Sequence, residues 1–253
     1  MASTYTPLGV ELMATGENAG TWGTKTNTGL QIIEQISGGY LSQALSTSGA
    51  TTLAVSDGAA SDANQVGHRI INLTAALVGN VTVTIPLDVQ TFYIIKNSTT
   101  NSYTVEFKYV SGSGSSVTWG ADDKSTKIIY ATANDGTNPD IVDAGSAFSL
   151  TSPNLVTGIN DVKGNELMKV TATASAVNEF TLANAATGAG PTLSSTGETN
   201  VDINLDPKGS GVLKSGTAAV KIAGTETMWI PANAFYLPTT NPADPASVET
   251  TAL

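Results

Sequence analysis

The chain contains no cysteine and a single histidine, His68. Without cysteine there are no disulfides, no thiol nucleophiles and no thiolate metal ligands. With one histidine, a single chain cannot build a site that needs two imidazoles, or a His-based triad plus a separate His ligand. Aromatic residues are scarce at 6%, and charged residues make up 13%, against about 25% in an average globular domain. The high charge density of disordered chains is therefore missing. Basic residues are few: Lys and Arg total 11 against 21 Asp and Glu, for a net charge of −10. A nucleic-acid binder needs the opposite balance to neutralise phosphates. No apolar run approaches the roughly 18 residues of a membrane helix. The first residues, MASTYTPLGVELMATGE, lack the basic start and apolar stretch of a secretory signal.

What fills the chain instead is Thr, Ser, Asn, Ala and 25 Gly. That mixture fits many short strands with small polar faces and frequent turns. At roughly 150 residues per domain, 253 residues make one large domain or two modest ones.

The pattern changes along the chain. Residues 1–42 begin irregularly, and TWGTKTNTGLQIIEQI then carries the clearest helical signal. Leu30, Ile33 and Ile36 recur at three-residue spacing with Ile32 beside them, one apolar stripe of a short helix. Thr26 or Asn27 is placed to cap its start and Gly38-Gly39 to end it. So short a helix is marginal alone and is expected to dock on something.

Residues 43–145 switch to period two. VTVTIPL alternates Val81, Val83, Ile85 and Leu87 with Thr82 and Thr84, and TFYIIKN, YTVEFKYV and KIIYATA follow. Gly, Asn, Asp and Ser turns between them point to an antiparallel β-sandwich, or a barrel. About 100 residues suffice for one such core. Residues 146–165 read as a linker, with Lys163-Gly164-Asn165 as a tight turn. Residues 166–222 consist of thin strands separated by ATGAGP, STGETN and DPKGSG. Such strands bury little within one chain, so this segment is expected to be a shaft shared by identical chains around an axis. It shows no exact short repeat of the kind a regular solenoid carries. Residues 223–253 hold the apolar patch TETMWIPANAFYLP and then a Pro-, Ala- and Thr-rich tail.

Two stretches resemble a known family. Thr4 to Gln35, with Ala14-Thr15-Gly16-Glu17 and Gly20-Thr21-Trp22-Gly23-Thr24, resembles the N-terminus of tail-fibre and related virion appendage proteins of marine bacteriophages. Gly164 to Leu213, with TATASAVNEFTLANAATG and NLDPKGSGVL, resembles a module common in phage fibre proteins. Thr225 to Pro231 is also similar to segments of such proteins, where a further C-terminal domain usually follows; residues up to 253 are thus expected to lack a host-binding tip. The resemblance implies a virion structural protein, a homotrimer fastened to the particle by its N-terminus and involved in host attachment.

On this basis residues 1–42 are expected to contact a tail adaptor, nozzle or similar virion protein through Thr21, Trp22, Gly23, Leu30 and Ile33. Tryptophan is a favoured interface anchor; the bland alternative is that Trp22 caps the chain's own core. The trimer interface is expected at Val170, Phe180, Leu182, Ile203, Leu205 and Val212. A host surface glycan or protein is the distal partner, and neither nucleic acid nor membrane insertion is expected. Localisation is the virion, assembled in the host cytoplasm. A head-side appendage or decoration protein satisfies the same attachment logic.

Nothing in the chain calls for a catalytic residue, a cofactor or a metal. His68, beside Arg69, reads as a surface or interface imidazole. Asp135 to Asp140 has carboxylates that suit calcium, but lacks the EF-hand spacing and closing Glu, and reads as a β-turn. A tail-spike depolymerase needs two carboxylates flanking a glycosidic bond. Asp57 with Asp62, and Asp202 with Asp206, are weak candidates, and the long repeat-rich β-helix of such enzymes is not evident. A sugar-binding module would use Trp22, Trp119 and Trp229, which are scattered. Gly112-Ser113-Gly114 lacks the Lys and Ser/Thr of a phosphate loop and reads as a hairpin turn. The acidic excess suits solubility in a protein displayed in many copies.

Overall fold

The computed structural model describes residues 2–147, 149 and 158–210. Met1–Ala172 form one compact unit and Thr173–Leu253 a second. Among the described residues the protein is mainly β, with one α-helix and several sheets.

The first unit opens with a small antiparallel pair, β1 (Thr4–Tyr5) and β2 (Glu11–Leu12), followed by α1 (Trp22–Gly38). Nine strands then form two sheets, the first six of them alternating between the two. They are β3 (Tyr40–Ala44), β4 (Gly49–Thr52), β5 (Ile70–Thr74), β6 (Val81–Ile85), β7 (Thr91–Asn97), β8 (Val105–Tyr109), β9 (Val117–Trp119), β10 (Thr126–Ala131) and β11 (Ile141–Asp143). One sheet has the order β11-β10-β7-β5-β3 and the other β4-β6-β8-β9.

The expected antiparallel pairing holds only for β7–β10, β10–β11 and β8–β9. The ladders β3–β5–β7 and β4–β6–β8 are parallel. The cause is the route of the chain. From β3 to β8 it crosses to the other sheet after each strand and returns, so the next strand of a sheet runs in the original direction. Tyr40 pairs with Ile70 and Ile70 with Ile94, so one circuit takes 30 residues and the next 24. Unequal circuits leave no repeat in the sequence although the backbone winds.

Both sheets turn alternate side chains inward into a single buried cluster. Leu41, Ile71 and Ile95 stand in register on one sheet. On the other, Val81 faces Val105, Val83 faces Phe107, and Ile85 faces Tyr109. Tyr93 and Phe107 meet edge to face at 5.8 Å between ring centres. The buried tyrosines and Asn97 find hydrogen-bond partners, as burial demands. Tyr93 donates its hydroxyl to the Val66 carbonyl at 3.0 Å, and Tyr109 donates to Val89 at 2.8 Å. Asn97 donates to the Asp123 carbonyl and accepts from the Thr99 amide.

Beyond the cluster lie two antiparallel hairpins, each in its own unit. In the first unit β12 (Gly158–Asn160) pairs with β13 (Glu166–Lys169). The expected turn is there: Gly164 sits at φ +88°, and the Asp161 carboxylate accepts the Lys163 and Asn165 amides. The strand β12 itself falls where only linker was expected. In the second unit β14 (Glu179–Ala183) pairs with β15 (Thr192–Thr196) around the ATGAGP turn. Between residues 158 and 210 no described residue is buried.

Candidate docking surface

The N-terminal elements are tied to one another and to the β-unit by polar contacts. Lys25 of α1 pairs with Glu11 of β2 at 3.0 Å. That hydrogen bond holds the Glu11 carboxyl below its ordinary range and raises the Lys25 ammonium. Asn64 donates to the Leu8 carbonyl at 2.9 Å, and Gly58 donates to Gly9 at 2.8 Å. Gly9 needs φ +84° there, and an added Cβ would sit 2.9 Å from the Ser56 carbonyl oxygen. Gln35 donates to the Asn64 carbonyl at 3.1 Å.

The helix starts earlier than the expected caps. Asn18 (φ 60°) and Gly20 (φ 81°) turn the chain, and Lys25 donates the first helical bond to Thr21, so Thr26 and Asn27 lie inside the helix. Its end is where Gly38-Gly39 placed it, with the Gly39 amide bonded to Gln35. At 100° per residue, Trp22, Ile33 and Leu30 fall on one side of α1. Ile32 is on another side and is the helix's buried residue. The apolar stripe therefore points to solvent, with Trp22 64% exposed, Leu30 59% and Ile33 53%.

Trp22 thus does not cap the chain's own core. Thr21 is exposed, and Gly23 has open space where a side chain would go. Leu30, Ile33 and Glu34 line an open groove with Tyr40, Ala60 and His68, with a volume of about 930 Å³. The described helix is neither long nor apolar enough to cross a membrane.

Of the two readings of His68, surface or interface imidazole, the surface one does not hold. His68 is 5% exposed, with Nδ1 at 3.1 Å from both the Asn64 carbonyl and the Gln35 amide. Nε2 lies 3.6 Å from Asp62. The imidazole joins α1 to the loop before β5. Its burial follows from that loop's fold, which a single histidine in GHRIINL does not announce.

The acidic loop serves the fold. The Asn138 side chain accepts the Ser113 amide at 2.8 Å, and Asp140 accepts the Ser115 amide at 2.7 Å. Ser115 holds the Asp140 carboxyl below the usual carboxylate range. Asp135 accepts the Thr137 amide. Gly112-Ser113-Gly114 lies in the β8–β9 hairpin loop, pressed against residues 137–139. Two loops that looked independent in sequence hold each other. Among the described residues, no group of three acidic or imidazole side chains is placed to hold a metal ion. Asp122 is engaged by Lys163 at 3.2 Å and by Ser102. Trp119 is buried, its indole N–H donating to Ser125, so it is closed to sugar stacking.

In the second unit, Phe180, Leu182 and Leu193 share one face of the β14–β15 hairpin, while Glu179, Thr181 and Ser194 take the other. Phe180 is 59% exposed and Leu182 71%. Ile203 and Leu205 are exposed as well, and Val170 of the first unit is half-buried. Val212, Trp229 and the patch Thr225 to Pro231 lie outside the described residues.

No protein-family model matches the chain, and no curated protein or solved structure is similar to it.

Proposed function

We propose that this chain is a structural component of a bacteriophage virion: a trimeric tail fibre, held to the tail by its N-terminal residues and involved in host attachment. The two-sheet unit is the shoulder, and the thin strands after it are the shaft. The observation that carries this reading is the β14–β15 hairpin. It sets Phe180, Leu182 and Leu193 on one uncovered face, and an isolated two-stranded hairpin is marginal in water. Identical chains winding together supply the missing cover, with Val170, Ile203, Leu205 and Val212 as further interface positions. The uncovered stripe Trp22–Leu30–Ile33 supports attachment to another virion protein, because an aromatic anchor on a rigid helix loses little entropy on docking.

Sedimentation of the purified chain tests the shaft, and particle composition tests the anchor. A trimer is expected, and Phe180→Asp with Leu182→Asp is expected to give monomers whose two-sheet unit remains folded. Trp22→Ala with Ile33→Asp is expected to leave the trimer intact and absent from purified particles. A stable wild-type monomer at micromolar concentration overturns the shaft; normal incorporation of the Trp22 variant overturns the anchor.

A further inference from the structure

The outer face of the five-stranded sheet carries an uncovered apolar surface that meets the anchor groove at Tyr40 and extends away from it. Tyr40, Ile70, Ile94 and Ile128 stand in register across β3, β5, β7 and β10. Phe92 and Tyr130 form a second row beside them. Tyr40, Phe92, Ile128 and Tyr130 are each about half exposed. Taking 150–250 Å² for a whole aromatic side chain, the face offers about 500 Å² of apolar surface. That matches the apolar part of a standard interface, which covers about 800 Å² per partner.

The charge on this face runs against the rest of the chain. No outward position of the five strands holds a carboxylate, and Lys96 is the charge on it. Arg69 adjoins it, with its guanidinium 3.7 Å from the centre of the Phe92 ring. It also donates to Thr91 at 3.1 Å, which fixes the aromatic row. Among the described residues neither Arg69 nor Lys96 has an ion-pair partner, in a protein of net charge −10. Two such acidic bodies repel over most of their surface, and this face is where one can accept the other.

We infer that this sheet face packs against the two-sheet unit of a neighbouring copy of the same chain. The inference rests on the trimeric shaft, which supplies the occupant. Chains joined at the shaft hold their two-sheet units at an effective concentration of about millimolar, so a contact too weak to form between free units forms within the trimer. The face then sets the units around the axis at a fixed angle.

The test is photo-crosslinking of the purified full chain with p-benzoyl-phenylalanine in place of Tyr130, and separately of Phe92. The expected result is an inter-chain product in the trimer, its linked peptide within residues 1–147 of another copy. It is expected to be lost when Ile94→Glu and Ile128→Glu place carboxylates on the face. A trimer in sedimentation with no such product from either position overturns the inference and leaves the shaft standing. A linked peptide from the shaft also overturns it. A monomer overturns the shaft, and the inference with it.

Discussion

The parallel pair β6–β8 and the antiparallel pair β14–β15 each present one apolar face, and they end differently. Each consists of two five-residue strands; apolar residues alternate in β6, β8 and β14, while β15 adds Leu193 to the face of Phe180 and Leu182. Val81, Val83 and Ile85 are fully or almost fully buried, whereas Phe180 and Leu182 are open. The difference lies in what stands opposite. β6 and β8 face a second sheet of the same unit, and their inward side chains enter a shared cluster. β14 and β15 face no sheet among the described residues. Alternation in a strand therefore specifies a face that can be buried, and the partner decides whether it is.

The largest test of that contrast is Trp119→Ala. Trp119 is fully buried, and its loss is expected to cost about 3–5 kcal/mol. Denaturant unfolding should show the same loss at every protein concentration, because the core is private. The Phe180 and Leu182 variants should instead act only where chains associate. A concentration-dependent Trp119 effect breaks the comparison.

A smaller effect is expected from Gly114→Ala. An added Cβ would lie 2.0 Å from the Pro139 carbonyl oxygen, so the two loops must part. A loss of about 1–3 kcal/mol is expected, read from the thermal midpoint of the two-sheet unit.

The smallest effect concerns pH. Asp140 is held below its usual range by Ser115, so its folded pKa lies below the unfolded value of about 3.9. Its contribution is present above that value and is lost as pH falls through the folded pKa. Asp140→Asn removes this dependence. The gap in melting temperature between wild type and variant should be widest near pH 7 and narrow towards about pH 3. A gap that widens on acidification contradicts the assignment.

Several strands were legible because their period of two is strict. Val81–Ile85 shows it, and so does Val105–Tyr109. Their parallel pairing was not. Parallel strands usually read as continuous apolar runs because both faces are covered. Here the four-stranded sheet carries Thr82, Thr84, Glu106 and Lys108 on its second face, so β6 and β8 alternate as antiparallel strands do. The helix was visible from Leu30, Ile33 and Ile36, but its orientation was not. The period defines an apolar stripe without saying whether it meets the core, and only Ile32 does. The buried imidazole of His68 depends on contacts 33 residues away in sequence, at Gln35, which no local pattern contains.

The winding also bears on how the molecule is made. Each parallel pair joins residues 24 to 32 positions apart, so a circuit can close soon after its second strand leaves the ribosome. Among the described residues the last buried strand residue is Ile141, well ahead of the hairpin at Glu179–Thr196. In a chain that folds N-terminus first, the private core is complete before the adhesive strands are synthesised. The apolar face of the hairpin thus emerges on a body already folded.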